Sequence, residues 1–435
     1  MSFRRMVYNW ICSHTNLYQE TVIRSVFGRK YKRIRLNKIR SLDDAVTKIK
    51  SQKSKDKINV VFICQVPSIW NVNKSVFEAT LKNVNINTYL LAIPEKIYGD
   101  KGDLNHENYG ENKAYDYCKS FFDDTINGYE NKKWFDLHVL KPDYVFINRP
   151  YDIHMPPQYR SDVLSKYCKI CFIPYAYCEN IWTAKTSYNM YYLDSVFIVF
   201  TENMVRYKDL NNVYKRYFRA NEKKIAYLGF TRFDLHKTTP SYKNDFKKIV
   251  VWLPRWSTDK TVNPSTFFKF KDIIIDFFKT NTKYQLICRP HPLMLRNFVS
   301  SGEMTKKEEE EFIALFNDTD NFLLDNSPDY LPYLKAADVI ISDWSSLLVE
   351  EIATGNPIIY CGRDKGWDLD AKFRSKLMYK AQNDIELINI LQTLLNGNDP
   401  LKKKRIEYIN KSLRCDGKTG ERIVSFLIDD YMERV

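Results

Sequence analysis

Short apolar runs recur along this chain, separated by longer stretches of mostly helical character. The first series is Ile58–Cys64 (INVVFIC), Thr88–Ile93, Tyr144–Asn148 (YVFIN), Ile170–Ile173, Val196–Phe200 and Ile225–Leu228. Runs without polar alternation predict strands buried on both faces, and alternation of such strands with helices predicts a parallel sheet covered on two sides. Residues 99–113 are rich in Gly, Asn and Asp and read as a loop, and 114–140 read as helices. A polar break at 231–247 (TRFDLHKTTPSYKNDFK) then interrupts the pattern. A second series follows, with Ile249–Leu253, Gln285–Cys288, Phe322–Leu324, Val339–Ile341 and Ile358–Tyr360 as strands and Leu387–Leu395 and Ile423–Tyr431 as helices. The charged run Lys306–Glu311 reads as an exposed helix face. The pattern therefore predicts an α/β protein with two Rossmann-like domains, residues 58–240 and 241–435, behind an N-terminal extension of residues 1–57.

The extension changes the picture because charge is concentrated in it. Of the net charge of +14, residues 1–57 carry +11, from fifteen Lys and Arg against four acids. Such an arm seeks polyanions, and anionic lipid headgroups are the partner preferred here. Phe3, Met6, Val7, Trp10 and Ile11 recur at helical spacing, which suits an interfacial helix. No helix-turn-helix, zinc finger or RNP-like pattern points to nucleic acid. No window holds ~18 uninterrupted apolar residues, so no transmembrane helix is expected, and the segment behind Arg4 and Arg5 lacks the apolar core of a secretory signal. Nine cysteines are scattered. Cys168 and Cys171 have CxxC spacing but enter a predicted strand, with no second pair to complete a zinc set. Buried thiols, a reducing cytoplasm and no metal site are the expectation.

Several chemistries are absent by motif. The first strand is followed by Gln65-Val66-Pro67-Ser68-Ile69-Trp70, not GxGxxG, and GxxxxGK[ST], HExxH and GxSxG are missing. What stands out instead lies after three strands of the second series: Leu253-Pro254-Arg255-Trp256, Arg289-Pro290-His291-Pro292 and Ser342-Asp343-Trp344-Ser345-Ser346. The last joins a strand to a helical pattern, so hydroxyls of Ser342, Ser345 and Ser346 meet the unpartnered amides of a helix start, an anion site. Asp343 would repel an anion there unless it caps the helix instead. Arg289 and His291 lie two residues apart, so persisting strand geometry would turn both side chains the same way. A cation and an imidazole aimed together suit a phosphate, with Arg255 as a further candidate and Glu350 as an acceptor for a ribose.

These three stretches resemble the CDP-glycerol glycerophosphotransferase family, enzymes that build teichoic-acid-like polymers on a GT-B fold. The likeness spans residues 248–362, and the N-terminal half fits only in outline. The resemblance implies two domains facing across a cleft, a last helix that crosses back to the first domain, and a CDP-polyol donor, most simply CDP-glycerol. It implies a glycan or lipid-linked acceptor, and because no acidic cluster forms a divalent metal site, no resident cofactor or metal requirement is expected. The candidate donor set is Arg255, Arg289, Ser342, Asp343, Ser345, Ser346 and Glu350, with His291 catalytic. The family also has a His after a strand of the N-terminal domain. Here the matching strand is followed by Tyr175-Ala176-Tyr177-Cys178-Glu179, without one. His154, alone or oriented by Asp152, and Glu179 are the candidate bases. The expected location is the cytoplasm, at the inner face of the membrane. Two alternatives share these features: a GT-B glycosyltransferase using a nucleotide-sugar for capsule or lipooligosaccharide, and a degenerate tethering protein.

Overall fold

A computed structural model describes residues 44, 57–97, 108–147, 149–177, 190–215, 223–259, 264–327, 329–343, 345, 347–362 and 376–432. The expectations placed on the basic arm (Asp44 and Lys57 apart), on Glu179 and on Ser346 lie outside the described residues. The chain forms two compact units. One is drawn from residues up to Asp234 and from Lys418 onward, and the other is chiefly Leu235–Gly417.

In the first unit the strands are β1 (Ile58–Cys64), β2 (Ile86–Ala92), β3 (Ile126–Asn127), β4 (Tyr129–Glu130), β5 (Lys133–Trp134), β6 (Tyr144–Ile147), β7 (Lys169–Phe172), β8 (Ile198–Phe200) and β9 (Lys224–Ala226). Seven form a parallel sheet in the order β3-β2-β1-β6-β7-β8-β9. Both faces are covered. Val61, Ile63, Val145, Ile147, Ile170 and Phe172 pack on one side. On the other, Phe62 stacks on Phe146 at 4.7 Å between ring centroids and meets Phe77 edge-on. Double coverage is why β1 reads as seven apolar-rich positions with no polar alternation.

Residues 114–140 do not form the expected helices. Only Lys113–Lys119 is helical, and an edge strand, a hairpin and a 3-10 turn follow. Asn131 and Lys132 both take positive φ, 50° and 61°, between the antiparallel β4 and β5. That is the two-residue hairpin geometry whose twist matches paired strands, and Asn tolerates it.

The helix Thr419–Met432 belongs to this first unit and packs along the helix Asn71–Leu81. Its N-terminal amides are held by Asp234, which accepts from Thr419 N at 3.0 Å and Gly420 N at 2.8 Å. A carboxylate there satisfies two orphan donors and the positive end of the dipole. Gly420 allows the approach, since a Cβ would lie 2.4 Å from the Ser75 carbonyl oxygen. Near the other end, buried Asp430 pairs with Lys169 at 3.2 Å and Lys224 at 3.0 Å and accepts from the Tyr144 hydroxyl.

The second unit holds β10 (Lys248–Leu253), β11 (Tyr284–Cys288), β12 (Phe322–Leu324), β13 (Val339–Ser342), β14 (Ile358–Tyr360) and β15 (Tyr379–Lys380), ordered β12-β11-β10-β13-β14-β15 and all parallel. Alternate residues feed separate cores. Val250, Trp252, Leu286, Val339 and Ile341 meet Phe270, Ile274 and Phe278 of the helix Phe267–Thr280. Ile249, Val251, Ile287, Ile340 and Ile358 meet Leu348 and Ile352 of the helix Leu348–Ala353. Each such side chain, fully buried, contributes roughly 1.5–3 kcal/mol. The charged run at 306 starts the helix Lys306–Asp318, opened by a capping box between Thr305 and Glu308.

Candidate active site

A parallel sheet binds ligands beyond the carboxyl ends of its strands, at the point where successive connections part to opposite sides. In the second unit the chain runs outward from β10 through β11 to β12, then returns to lay β13 on the other side of β10. The parting point is therefore between β10 and β13, and Arg255 and Asp343 are what follow these two strands.

Asp343 is buried and fastens that point. One oxygen accepts from the Arg255 amide at 3.1 Å, the Ser265 hydroxyl at 3.0 Å and the Thr266 amide at 3.1 Å, and the other accepts from the Thr266 hydroxyl. Burial pushes its pKa up while these donors pull it down. It makes no cap on the helix after it; the Leu347 amide there is taken by the Ser345 hydroxyl at 3.0 Å. The carboxylate instead holds the turn after β10 and the entrance to Phe267–Thr280. A motif next to one helix does not reveal that its partner is a loop ~80 residues away in sequence, because only the pairing of β10 with β13 brings them together.

The Arg255 side chain is nearly buried, with its guanidinium 5.7 Å from the Trp256 ring centroid. Burial lowers its pKa to about 10, opposed by Asp343, so it stays charged at pH 7. His291 continues the ladder from β11, its amide donating to Pro254 O at 3.2 Å as the Arg289 amide donates to Trp252 O at 2.8 Å. The His291 ring lies at the surface, 6.0 Å from Trp256. Packing of the surrounding chain, and then the Arg255 charge, push its pKa down to about 4. The imidazole is neutral at neutral pH. Its Nδ1 accepts from the Leu293 amide at 3.2 Å, which leaves the proton on Nε2 and makes that edge a donor.

Arg289 and His291 do not turn the same way, contrary to the strand-based expectation. The Arg289 guanidinium pairs with buried Asp325, donates to Ser327 O at 2.9 Å and lies 5.5 Å from the Tyr330 ring centroid. The strand ends at Cys288, so a period of two has no force beyond it. Ser342 also departs from its expected role: its hydroxyl is fully buried and faces Glu351 at 3.1 Å. Glu351, buried beside Glu350 and Asp343, has its pKa raised by burial to about 8. Glu350 is buried too, its carboxylate accepting from the Tyr330 hydroxyl. The helix carrying both is only Leu348–Ala353, too short for much dipole at its start. Of the serine-rich turn, the Ser342 hydroxyl is thus taken by Glu351 and the Ser345 hydroxyl accepts from the Leu347 amide.

The first unit parts its connections between β1 and β6. Gln65 follows β1 and reaches across, donating to His154 O at 2.8 Å and accepting from Arg149 at 3.4 Å. His154 is half-buried, and burial followed by the charge of Lys96 lowers its pKa to about 4. The Asp152 carboxylate is taken by the amide and hydroxyl of Ser161, both at 2.7 Å. Gln65, Lys96 and Arg149 escaped sequence reasoning, which attended to the missing glycines of the β1 loop and not to what replaced them.

A sequence model of the CDP-glycerol:poly(glycerophosphate) glycerophosphotransferase family matches residues 201–429, more than half of the chain. The chain belongs to this family. No curated protein matches it by sequence. Solved structures resemble it at low identity. The wall teichoic acid polymerase TagF superposes with a TM-score of 0.51 at 14% identity, over 93% of this chain and 98% of the other. The UDP-GlcNAc 2-epimerase from Neisseria meningitidis bound to UDP-GlcNAc gives 0.54 at 12%, over 86% and 100%. S. aureus MnaA with UDP gives 0.54 at 11%, over 87% and 98%. Likeness at this identity speaks for the fold, the two Rossmann-like units of the GT-B class. The protein is an enzyme of the glycerophosphotransferase type. Arg255 presents a fixed charge, and His291 a neutral Nε2–H donor, at the carboxyl edge of the second unit's sheet.

Proposed function

We propose that this glycerophosphotransferase takes glycerol phosphate from CDP-glycerol, passes it to a hydroxyl of a cell-surface glycan or teichoic-acid-like acceptor, and releases CMP. The observation that carries this reading is that Arg255 and neutral His291 follow the adjacent strands β10 and β11 and both lie by Trp256, in a chain of this family. The acceptor oxygen bonds to the β-phosphorus as the bond from that phosphorus to the oxygen bridging it to the α-phosphate breaks. CMP leaves with the bridging oxygen. Arg255 neutralises phosphate charge, and His291 Nε2–H donates to a phosphate oxygen or to the leaving oxygen. The hydroxyl proton passes to a base, for which His154 is the candidate among the described residues. A phosphate bound beside His291 would raise its pKa from about 4, because an anion favours the protonated form.

The +11 charge of residues 1–57 supports a place at the cytoplasmic face of an anionic membrane, where a lipid-linked acceptor is met. Sedimentation with phosphatidylglycerol vesicles, weakened by salt and abolished without those residues, is the expected result.

The test of the activity is CMP release from CDP-glycerol, with and without a crude glycan acceptor. Acceptor-dependent release that disappears in His291→Ala supports the proposal. Consumption of UDP- or GDP-sugars with CDP-glycerol untouched sinks it.

A further inference from the structure

The end of β1 in the first unit holds a buried side chain to which the transfer reaction proposed above gives no task. Gln65, 3% exposed, follows β1 directly, and β1 lies between β2 and β6 in the sheet. Its amide reaches the loops on both sides. Nε2 donates to Pro94 O, after β2, at 3.3 Å and to His154 O, after β6, at 2.8 Å, while Oε1 accepts from Arg149 Nη1 at 3.4 Å. We infer that Gln65 is the positioning residue for His154, tying the turn that carries this imidazole to the loop that carries Lys96. The inference rests on His154 as the base that takes the acceptor proton.

Three observations lead there. First, the turn at His154 is too short to hold itself. It is a single 3-10 turn, Asp152–His154, whose N-terminus has no side-chain cap. Met155 is extended, at φ −91° and ψ 141°, the conformation that a following proline favours. Pro156 and Pro157 have no amide hydrogen with which to lengthen the turn. Its fixings come from outside: Ser161 donates to Asp152 at the first residue, and Gln65 donates to the carbonyl of the last. Second, the carboxamide has the required shape. It offers two N–H donors and one acceptor in a single plane. The donors go to carbonyls on opposite sides of β1, and the acceptor goes to a guanidinium. A glutamate here would lack the donors, and an asparagine would be one methylene short. Third, the tether governs the charge beside the imidazole. Pro94 stands two residues before Lys96, which is buried, and burial followed by the Lys96 charge disfavours the imidazolium. Tyr151 meets the ring edge-on at 5.8 Å, and Arg149 pairs with Glu95 at 3.7 Å across the same two loops. With both loops tied to one amide, the imidazole stays beside Lys96 and stays neutral, the form that accepts a proton.

The test is the titration of the His154 ring, followed by NMR of the full chain with isotope-labelled histidine and assigned by the signal lost in His154→Gln. The wild-type ring should stay neutral down to about pH 5, its pKa lying at about 4. Gln65→Met keeps the volume and removes both donors. It should move the titration up toward ~6.5, the value of an unconstrained imidazole. Gln65→Asn keeps the amide on a shorter stem and should fall between the two. The kinetics should move the same way, because a base works only when deprotonated. In Gln65→Met the kcat/KM for CMP release should gain an acid limb between about pH 5 and 7, as expected of a raised base pKa. Its kcat at about pH 8 should fall about tenfold through misplacement of the ring, with the KM for CDP-glycerol unchanged. A His154 titration that stays at the wild-type position in both variants, with the wild-type pH profile, overturns the inference. CMP release untouched in His154→Gln would instead refute His154 as the base, and the titration would still decide whether Gln65 holds it.

Discussion

At the residue scale, the two histidines and Asp343 make the sharpest statements. His291 has a pKa of about 4 because neighbouring chain and Arg255 disfavour its charged form. The charge therefore appears only as pH falls through about 4, not through the ordinary ~6.5. The kcat/KM for CMP release, which reports the free enzyme, is expected to show no acid limb from His291 between about pH 5 and 8. A limb near 6.5 that vanishes in His291→Gln would contradict this placement. His291→Ala should lose on the order of 10²–10³ in kcat, and His291→Gln less, because an amide still donates. The Asp343 carboxylate is spent on the Arg255 amide and on Ser265 and Thr266. Asp343→Ala frees the Arg255 and Thr266 amides and leaves the turn after β10 unheld. A fall in kcat/KM of roughly 10–100-fold is expected, with the far-ultraviolet circular dichroism spectrum of wild type. Asp343→Asn, which keeps an acceptor oxygen, should recover part of it. The residue identities of this site were legible in the sequence. Their roles were not, because Ser342, Glu350 and Arg289 each spend their polar groups on neighbours that only folding supplies.

At the element scale, the apolar runs located the long strands because both faces of each sheet are buried, and continuous burial leaves an unbroken signature. Short edge elements escaped for the opposite reason. β3 and β15 have two residues each and partly exposed side chains, so no period can build up. The hairpin of β4 and β5 hid within a mostly polar stretch, YENKKW, its turn carried by Asn131 and Lys132 rather than by an Asn-Gly pair. The glycine at 420 shows what an element's packing demands of one position. Gly420→Ala would drive a methyl group into the Ser75 backbone, so it should destabilise the protein by roughly 1–3 kcal/mol, read from the denaturant midpoint of urea unfolding. An unaffected midpoint would mean that the helices Asn71–Leu81 and Thr419–Met432 do not lie so close.

At the scale of the whole molecule, the chain leaves its first unit at Asp234 and returns to it at Lys418. The first unit is thus completed by a segment distant in sequence, from Lys418 onward. Asp430 is the anchor, with Lys169, Lys224 and Tyr144 directed at its carboxylate. Asp430→Ala would leave Lys169 buried without its counter-charge, at a cost of about 3–5 kcal/mol. Removal of residues 418–435 should go further and leave the first unit open to proteolysis while the second resists. A truncated chain as resistant as the full one in both units would refute this dependence. What the amino-acid sequence determined alone was the α/β class, the two series of strands and the polar residues that follow them, because burial and strand ends are local properties of the chain. What the tertiary structure decided was which of those residues share a site. Strand order places β13 beside β10 and sets Asp343 against Arg255, and no local pattern encodes the order in which strands pair.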